Sequence, residues 1–431
     1  MIGCGTVGQG VAQILSQQKT LYTRRLGTEL ALQRILVRDA KRTQQCSKID
    51  PSIVTTNPDE FFTTPNIGII IEVAGGRGLI SQYVRRALSD GKHVVTANKS
   101  LLAAEGSELF SLAHENRVSI AFEASCGGGI PIITALQFGL MANKINAMYG
   151  ILNGTCNYIL TEMTQSGKCY SEALSEAQEH GFAEADPTLD VSGQDAAEKL
   201  AILSSLAFGI QATSAHVQSE GIDQLNLTDI KFGSELGYDI KLLAIAERNN
   251  KSDDHVSLRV HPCFVHTEIP LAQVHGPFNA LSVYGHATGQ TLYYGRGAGQ
   301  MPTASAVVSD VINIASGWYP HAFGELKLWS NDHGKNNWVN PDDLPSRFYL
   351  RISARDTPGV VAKVGTILGD AGISVSALLQ HEVDADKFVP VVITTHSARQ
   401  GAMNKALAEI GRLEVINGQP VCIRIVDLPH D

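Results

Sequence analysis

Six residues, Gly3-Cys4-Gly5-Thr6-Val7-Gly8, constrain this chain more than any others. The first glycine permits a tight turn, the second lets a ligand approach the backbone, and the third lets a helix pack close to its strand. Such spacing belongs where a strand turns sharply into a helix whose N–H groups face an anion. The surroundings meet that need. Candidate strands at Leu30–Val37, Ile67–Glu72, His93–Thr96 and Val118–Phe122 alternate with helix patterns at Gly8–Gln17, Leu79–Asp90 and Ser107–Glu115. This alternation predicts an α/β chain whose residues 1–130 form a doubly wound, Rossmann-like parallel sheet. A dinucleotide would lie on Gly3, Gly5, Thr6, Val7 and Gly8. Only Met1 and Ile2 stand before the turn, so either the sequence begins late or the first strand is shortened.

The end of the second strand carries Arg38, then Asp39, Lys41 and Arg42. An acid there reads a free ribose 2′-OH, whereas an arginine accommodates a 2′-phosphate. Arg38 therefore favours NADP and leaves NAD open.

Residues 131–328 mix strands (Ala147–Leu152, Ser257–Phe264, Ala280–Tyr284, Gln290–Tyr294) with helices (Thr155–Ser166, Ser171–His180, Asp195–Ala207). They read as an α+β domain for substrate and dimerisation. A helix near 303–315 is expected to return onto the first domain. The polar stretch Trp329–Pro345 has the composition of a linker. Residues 346–431 then run strand, helix, strand, strand, helix, strand. That βαββαβ order is ferredoxin-like.

Composition excludes several classes. A net charge of −9 with no basic block argues against nucleic acid. No apolar run reaches the length of a membrane span, so no membrane partner is expected. The cysteines (Cys4, Cys46, Cys126, Cys156, Cys169, Cys263, Cys422) are odd in number and scattered, with no CxxC pair. They read as reduced thiols of a cytoplasmic protein.

The chemistry concentrates in Ala177–Lys199, AQEHGFAEADPTLDVSGQDAAEK. Glu184, Asp186, Asp190 and Asp195 gather there around one lysine. Asp195 and Lys199 are four apart and share a helix face. The apolar run that follows implies a buried helix, where desolvation lowers a lysine pKa and carboxylates raise it. An ordinary i,i+4 ion pair would look the same locally. Four acids and two glycines around one lysine favour a site for a small, positively charged substrate that exchanges a proton.

That segment, A177-x3-G181-F182-A183-x2-D186-P187-x2-D190-V191-x-G193-x-D195-x3-K199, closely resembles the homoserine dehydrogenase signature. GCGTVGQGV, TANK at Thr96–Lys99, FEASCGGGIP at Phe122–Pro131, LNGTCNYIL at Leu152–Leu160 and GRGAG at Gly295–Gly299 also resemble that family's motifs. DTPGVVAKVG in the last unit resembles the start of an ACT regulatory domain. The resemblance implies interconversion of aspartate 4-semialdehyde and homoserine with NADP or NAD, in threonine, methionine and isoleucine biosynthesis. It implies Lys199 as general acid/base, Lys99 as a second acid or positioning group, and Asp195 as the orienter of Lys199. Glu184 and Asp190 would hold the substrate ammonium, with Gly154 and Thr155 lining the cleft. Asn98, Lys99 and Gly297 would meet the cofactor. Glu123 and the carbonyls of Cys126, Gly128 and Ile130 would hold a monovalent cation, sodium or potassium. The last domain would pair with another copy in a homodimer or homotetramer and bind an effector, threonine by analogy. A different small amino-acid aldehyde as substrate, or a non-catalytic amino-acid sensor, are the other readings.

Overall fold

A computed structural model describes residues 1–41, 49–249, 252–326, 329, 337–381 and 388–429. Arg42, Cys46 and residues 330–336 of the expected linker lie outside them. The chain divides into two compact units. One comprises Met1–Gly154, Gln194–Gln218 and Pro277–Asn336, and the other Thr155–Gly193, Ser219–Gly276 and Asn337–Asp431.

The first unit holds the parallel sheet. Its strands run in the order Val54–Thr55, Ile35–Leu36, then Ile2 as a single bridging residue, then Ile69–Glu72, His93–Thr96 and Ile120–Ala121. The strands are short, β-branched and nearly all buried, as expected for a sheet covered on both faces. Strand order reverses at Ile2, which bridges in parallel to Leu36 on one side and Glu72 on the other. In doubly wound sheets that switch point opens the ligand crevice, and Gly3 begins there. The helix Gln300–Ala315 packs on the helix Thr6–Gln17, tightly enough that a Cβ on Gly10 would sit 2.8 Å from Ala304. The same unit carries an antiparallel set, Ile145–Ile151, Phe278–Gly285 and Gly289–Arg296.

The second unit is built on the hairpin Tyr238–Asn249 and Ser252–His266. The first of these strands escapes the sequence reading because residues 241–246 are all buried. An uninterrupted apolar run without alternation does not declare its period. The ferredoxin-like order is present: strand Pro345–Arg355, helix Val360–Asp370, strands Val375–Gln380 and Phe388–Thr395, helix Gln400–Ile410, strand Val421–Val426. Phe348, Leu350, Ile352, Val364, Leu368, Val391, Ile393, Met403 and Ile410 fill its core.

This element does not stand apart. Val421–Val426 pairs in parallel with the hairpin, Arg424 opposite Cys263 and Val426 opposite Val265. Asp229, at the start of the helix Leu227–Glu235, is 1% exposed and meets strand Pro345–Arg355. Arg351 Nε and Nη2 reach its two carboxylate oxygens at 2.5 and 2.9 Å, and Tyr349 donates to Oδ1 at 3.0 Å. Removing one partner of such a buried pair leaves an uncompensated charge, at a cost of about 3–5 kcal/mol. Arg351→Ala is therefore expected to lower unfolding free energy by about that amount, read by chemical denaturation. A change within 0.5 kcal/mol, the usual range for a surface substitution, would show that the pair does not hold these elements together.

Candidate active site

The glycine-rich turn separates what the fold demands from what a ligand demands. Gly3 has φ +92°, and a Cβ there would lie 2.8 Å from Ala74. A Cβ on Gly8 would lie 2.7 Å from the Gly3 carbonyl. Those two glycines are required by packing. Gly5 is not: nothing lies within 4 Å of its would-be Cβ. Gly5 caps the helix Thr6–Gln17 without a side chain, and no acid stands in the first turn. The cradle is rigid at its edges and open at its centre, which fits a bound pyrophosphate. Arg38 is exposed, just beyond the strand Ile35–Leu36.

Two loops at the carboxyl ends of the parallel strands are tied together by Glu72, which is fully buried. Its Oε1 accepts from the N–H groups of Ala74 and Gly75, and its Oε2 accepts from Thr96 Oγ1. Thr96 Oγ1 in turn accepts from the Asn98 N–H. Asn98 caps the helix Lys99–Glu115 through Oδ1 and donates Nδ2 to the Gly76 carbonyl. The Asn98 side chain is thus engaged in holding the two loops. Lys99 becomes the first residue of the helix, two turns earlier than the sequence pattern had it. A cation is misplaced at the positive end of a helix dipole, so its position needs a counter-charge.

Asp195 supplies it. Lys99 Nζ lies 3.2 Å from Asp195 Oδ1, and Lys199 Nζ lies 2.7 Å from Oδ2. Asn153 Nδ2 donates to the same Oδ2 at 2.8 Å, and Lys199 also donates to the Leu152 carbonyl at 2.7 Å. The Lys199 side chain is only 11% exposed. Burial opposes charge on Asp195, but Lys199 and Lys99 outweigh it and take the carboxyl down to about 2. Burial likewise opposes charge on Lys99, and Asp195 with Glu198 reverses the balance, holding the ammonium above its ordinary value. The result is two ammonium groups fixed on one ionised carboxylate.

The Phe122–Pro131 loop has a different task. Both Glu123 oxygens are engaged: Oε1 accepts from Ile133 N–H, and Oε2 from the N–H and hydroxyl of Thr134. The Glu123 N–H donates to Asp310 Oδ2 at 2.9 Å. Burial raises the Glu123 carboxyl against those hydrogen bonds, and burial with Glu123 nearby raises Asp310 well above its ordinary value. The Ile130 carbonyl accepts from Ile132 N–H at 2.8 Å. Gly128 (φ +52°) is pressed on the loop of Gly297, whose carbonyl would be 2.5 Å from an added Cβ. Burial pushes the Cys126 thiol up to about 12, so its sulfur stays protonated. The Glu123 carboxylate thus spends three of its roughly four lone-pair sites on a helix start. Among the described residues no group of three His, Cys, Asp or Glu could hold a metal ion.

Of the four acids singled out in Ala177–Lys199, Asp195 joins Lys199; Glu184, Asp186 and Asp190 lie in the second unit. Asp186 accepts from the Thr188 N–H and hydroxyl and so shapes its own turn. Glu184 is exposed and Asp190 half-buried, the Asp190 carbonyl accepting from the Cys156 thiol. Gly154 opens the helix Gly154–Gln165, and Thr155 donates to the Phe182 carbonyl at 2.7 Å. Sequence reasoning missed Asn153, the Leu152 carbonyl, Glu72 and Asp310. Glu72 left a trace, an acid closing an all-isoleucine strand. The carbonyl left none.

Residues 3–123 match the NAD-binding domain of homoserine dehydrogenase, residues 131–312 its homoserine dehydrogenase domain, and residues 348–412 the ACT domain. The homoserine dehydrogenase of Neisseria gonorrhoeae is 39% identical over 435 residues, spanning 100% of this chain and 98% of that one. A crystal structure of a homoserine dehydrogenase from Thiobacillus denitrificans superposes with a TM-score of 0.92 at 40% identity, covering 99% of this chain and 97% of that one. A hyperthermophilic archaeal homoserine dehydrogenase in complex with NADPH matches with a TM-score of 0.61 at 27% identity, covering 72% and 95%. The chain belongs to the homoserine dehydrogenase family, NAD(P)-dependent oxidoreductases acting on a CH–OH group, and ends in an ACT domain.

Proposed function

We propose that Lys199 is the general acid/base for interconversion of aspartate 4-semialdehyde and homoserine, a step towards threonine, methionine and isoleucine. One observation carries this reading. The Lys199 ammonium has three N–H bonds, and two point to Leu152 O and Asp195 Oδ2. The third is left for a substrate oxygen. The reduced nicotinamide supplies the hydride when bound. As the aldehyde oxygen gains negative charge, Lys199 stabilises it and hands over a proton. In the reverse direction Lys199 takes the proton back from the hydroxyl. Lys99, on the other oxygen of Asp195, adds positive charge beside the same group. The resemblance assigns Glu184 and Asp190 to the substrate ammonium and Gly154 and Thr155 to its backbone contacts.

Arg38 supports NADP over NAD, because it is an exposed guanidinium at the strand end where a 2′-phosphate is read. No step is assigned to a monovalent cation. The ACT element supports feedback by a small effector, threonine by analogy, in a homodimer or homotetramer. The scattered cysteines, odd in number and without a CxxC pair, are the support for a cytoplasmic location. No helix among the described residues is long and apolar enough to cross a membrane.

The test is a steady-state assay of the full chain with aspartate semialdehyde and other small amino-acid aldehydes, with and without threonine. Preference for another aldehyde would overturn the substrate. A second prediction isolates the cradle. Gly5→Ala has room for its methyl group, so stability should stay within about 0.5 kcal/mol. The methyl would occupy space meant for phosphate, so the Kd for NADPH should rise at least about 10-fold, or 1.4 kcal/mol. Unchanged NADPH affinity would place the pyrophosphate elsewhere.

A further inference from the structure

Lys99 stands between two fastened neighbours. Asn98 before it donates Nδ2 to the Gly76 carbonyl at 2.6 Å. Ser100 after it donates its hydroxyl to Glu198 Oε2 at 2.8 Å, and the Ser100 carbonyl accepts from Arg77 Nε at 3.2 Å. Glu198 belongs to the helix Gln194–Phe208, which packs on the helix Lys99–Glu115. The former helix also carries Asp195, three residues before Glu198 and so on the same face. Two polar ties therefore join the starts of the two helices side by side: Lys99 to Asp195 Oδ1 at 3.2 Å, and Ser100 to Glu198.

The first tie depends on the second. The Lys99 side chain is 34% exposed against 11% for Lys199, and its contact with Asp195 is longer, 3.2 Å against 2.7 Å. Oδ2 already takes Lys199 and Asn153, which leaves Oδ1 to Lys99. Holding a long, flexible stem in one geometry costs side-chain entropy, and the positive end of the helix dipole repels the ammonium it carries. What keeps the ammonium at Oδ1 is the placement of the first helical turn, and the Ser100–Glu198 bond sets that placement. Charge acts in the same sense: burial opposes the Lys99 ammonium, while Asp195 and then Glu198 favour it. Within the reading that Lys99 acts in hydride transfer, on which this inference rests, we infer that Glu198 is a positioning residue. Through Ser100 it fixes the turn from which Lys99 reaches both Asp195 and the substrate.

The experiment is steady-state homoserine oxidation by the full chain, with cooperative thermal unfolding checked for each variant. Glu198→Ala and Ser100→Ala should each lower kcat about 10-fold, the worth of one hydrogen bond. The double variant should be no slower than either single one, because both remove the same bond. Glu198→Gln keeps an acceptor for the hydroxyl and should recover kcat to within about 3-fold of wild type. In a Lys99→Ala background, Glu198→Ala should cost nothing further. Ser100→Ala carries the same comparisons should Glu198→Ala not fold. Near-normal kcat in Ser100→Ala or Glu198→Ala overturns the proposal. A glutamine variant as slow as the alanine one overturns it too, since charge and not the hydrogen bond would then be acting. So does a full additional loss in the Lys99→Ala background, which would make Glu198 independent of Lys99. Lys99→Ala alone separates the two levels. A slow Lys99→Ala beside a normal Glu198→Ala rejects Glu198 only, whereas a normal Lys99→Ala rejects the reading of Lys99 and the proposal with it.

Discussion

Lys199→Ala is expected to lower kcat for homoserine oxidation by about 10³-fold while leaving the fold in place. A positioned acid/base group contributes roughly 10²–10⁴ in rate, and Lys199 is the ammonium whose third N–H is unassigned within the site. The fold should survive because the substitution does not orphan Asp195. That carboxylate keeps Lys99 at 3.2 Å and Asn153 at 2.8 Å. Thermal unfolding should therefore stay cooperative, and NADPH affinity should change little, since Lys199 is not part of the glycine cradle. Lys199→Arg should not restore the oxidation. A guanidinium stays protonated at any accessible pH, so it cannot take a proton from the alcohol. Steady-state kinetics of the three proteins in both directions check this. Near-normal turnover by the alanine variant would remove Lys199 from its role.

Asp195→Asn should damage both stability and catalysis, with a characteristic pH signature. The Asp195 carboxyl falls from an ordinary 3.8 to about 2 because burial is outweighed by Lys199 and Lys99. A group depressed on folding stabilises the native state above its unfolded pKa, and that contribution disappears as pH falls through the folded value. The contribution is about 2 kcal/mol, fully present above about pH 4 and gone below about pH 2. The variant should therefore unfold at lower urea than wild type at pH 7, with the gap closing between pH 4 and 2. Catalysis should fall by about 10²-fold or more, because Lys99 loses the charge that holds it ionised against burial and Lys199 loses its orienting bond. Urea denaturation across pH, beside kcat at neutral pH, measures both. An equal gap at every pH would mean that folding leaves the Asp195 carboxyl unshifted.

The Rossmann-like unit was legible because its signals are local. Gly3-Cys4-Gly5-Thr6-Val7-Gly8, Ile69–Glu72 and His93–Thr96 each show their period within a few residues. The ferredoxin-like order was equally legible from alternating segments after Ser346. What the sequence hid is what long-range pairing creates. Tyr238–Asn249 is buried along most of its length and so lacks the polar alternation that marks a strand. The parallel pairing of Val421–Val426 with Ser252–His266 joins residues far apart in sequence, and no local pattern announces it. At the site, the signature and the TANK motif pointed to Lys199, Asp195 and Lys99, and the structure brings those three together. It could not show that the Leu152 carbonyl shares Lys199, because every residue has a carbonyl. Nor could it show that the Glu123 carboxylate caps the helical turn Ile132–Thr134, since that depends on where Ile133 and Thr134 fold. Asp186 looked like a member of the acid cluster by spacing, yet its carboxylate closes its own turn on Thr188.

The most direct test is a single-turnover experiment with enzyme in excess over NADPH, mixed rapidly with aspartate 4-semialdehyde and followed by loss of the NADPH signal. Wild type should consume the cofactor in one fast phase. Lys199→Ala should bind NADPH with nearly the same affinity and consume it about 10³-fold more slowly. A fast phase of unchanged rate in the variant would contradict the assignment of the proton to Lys199.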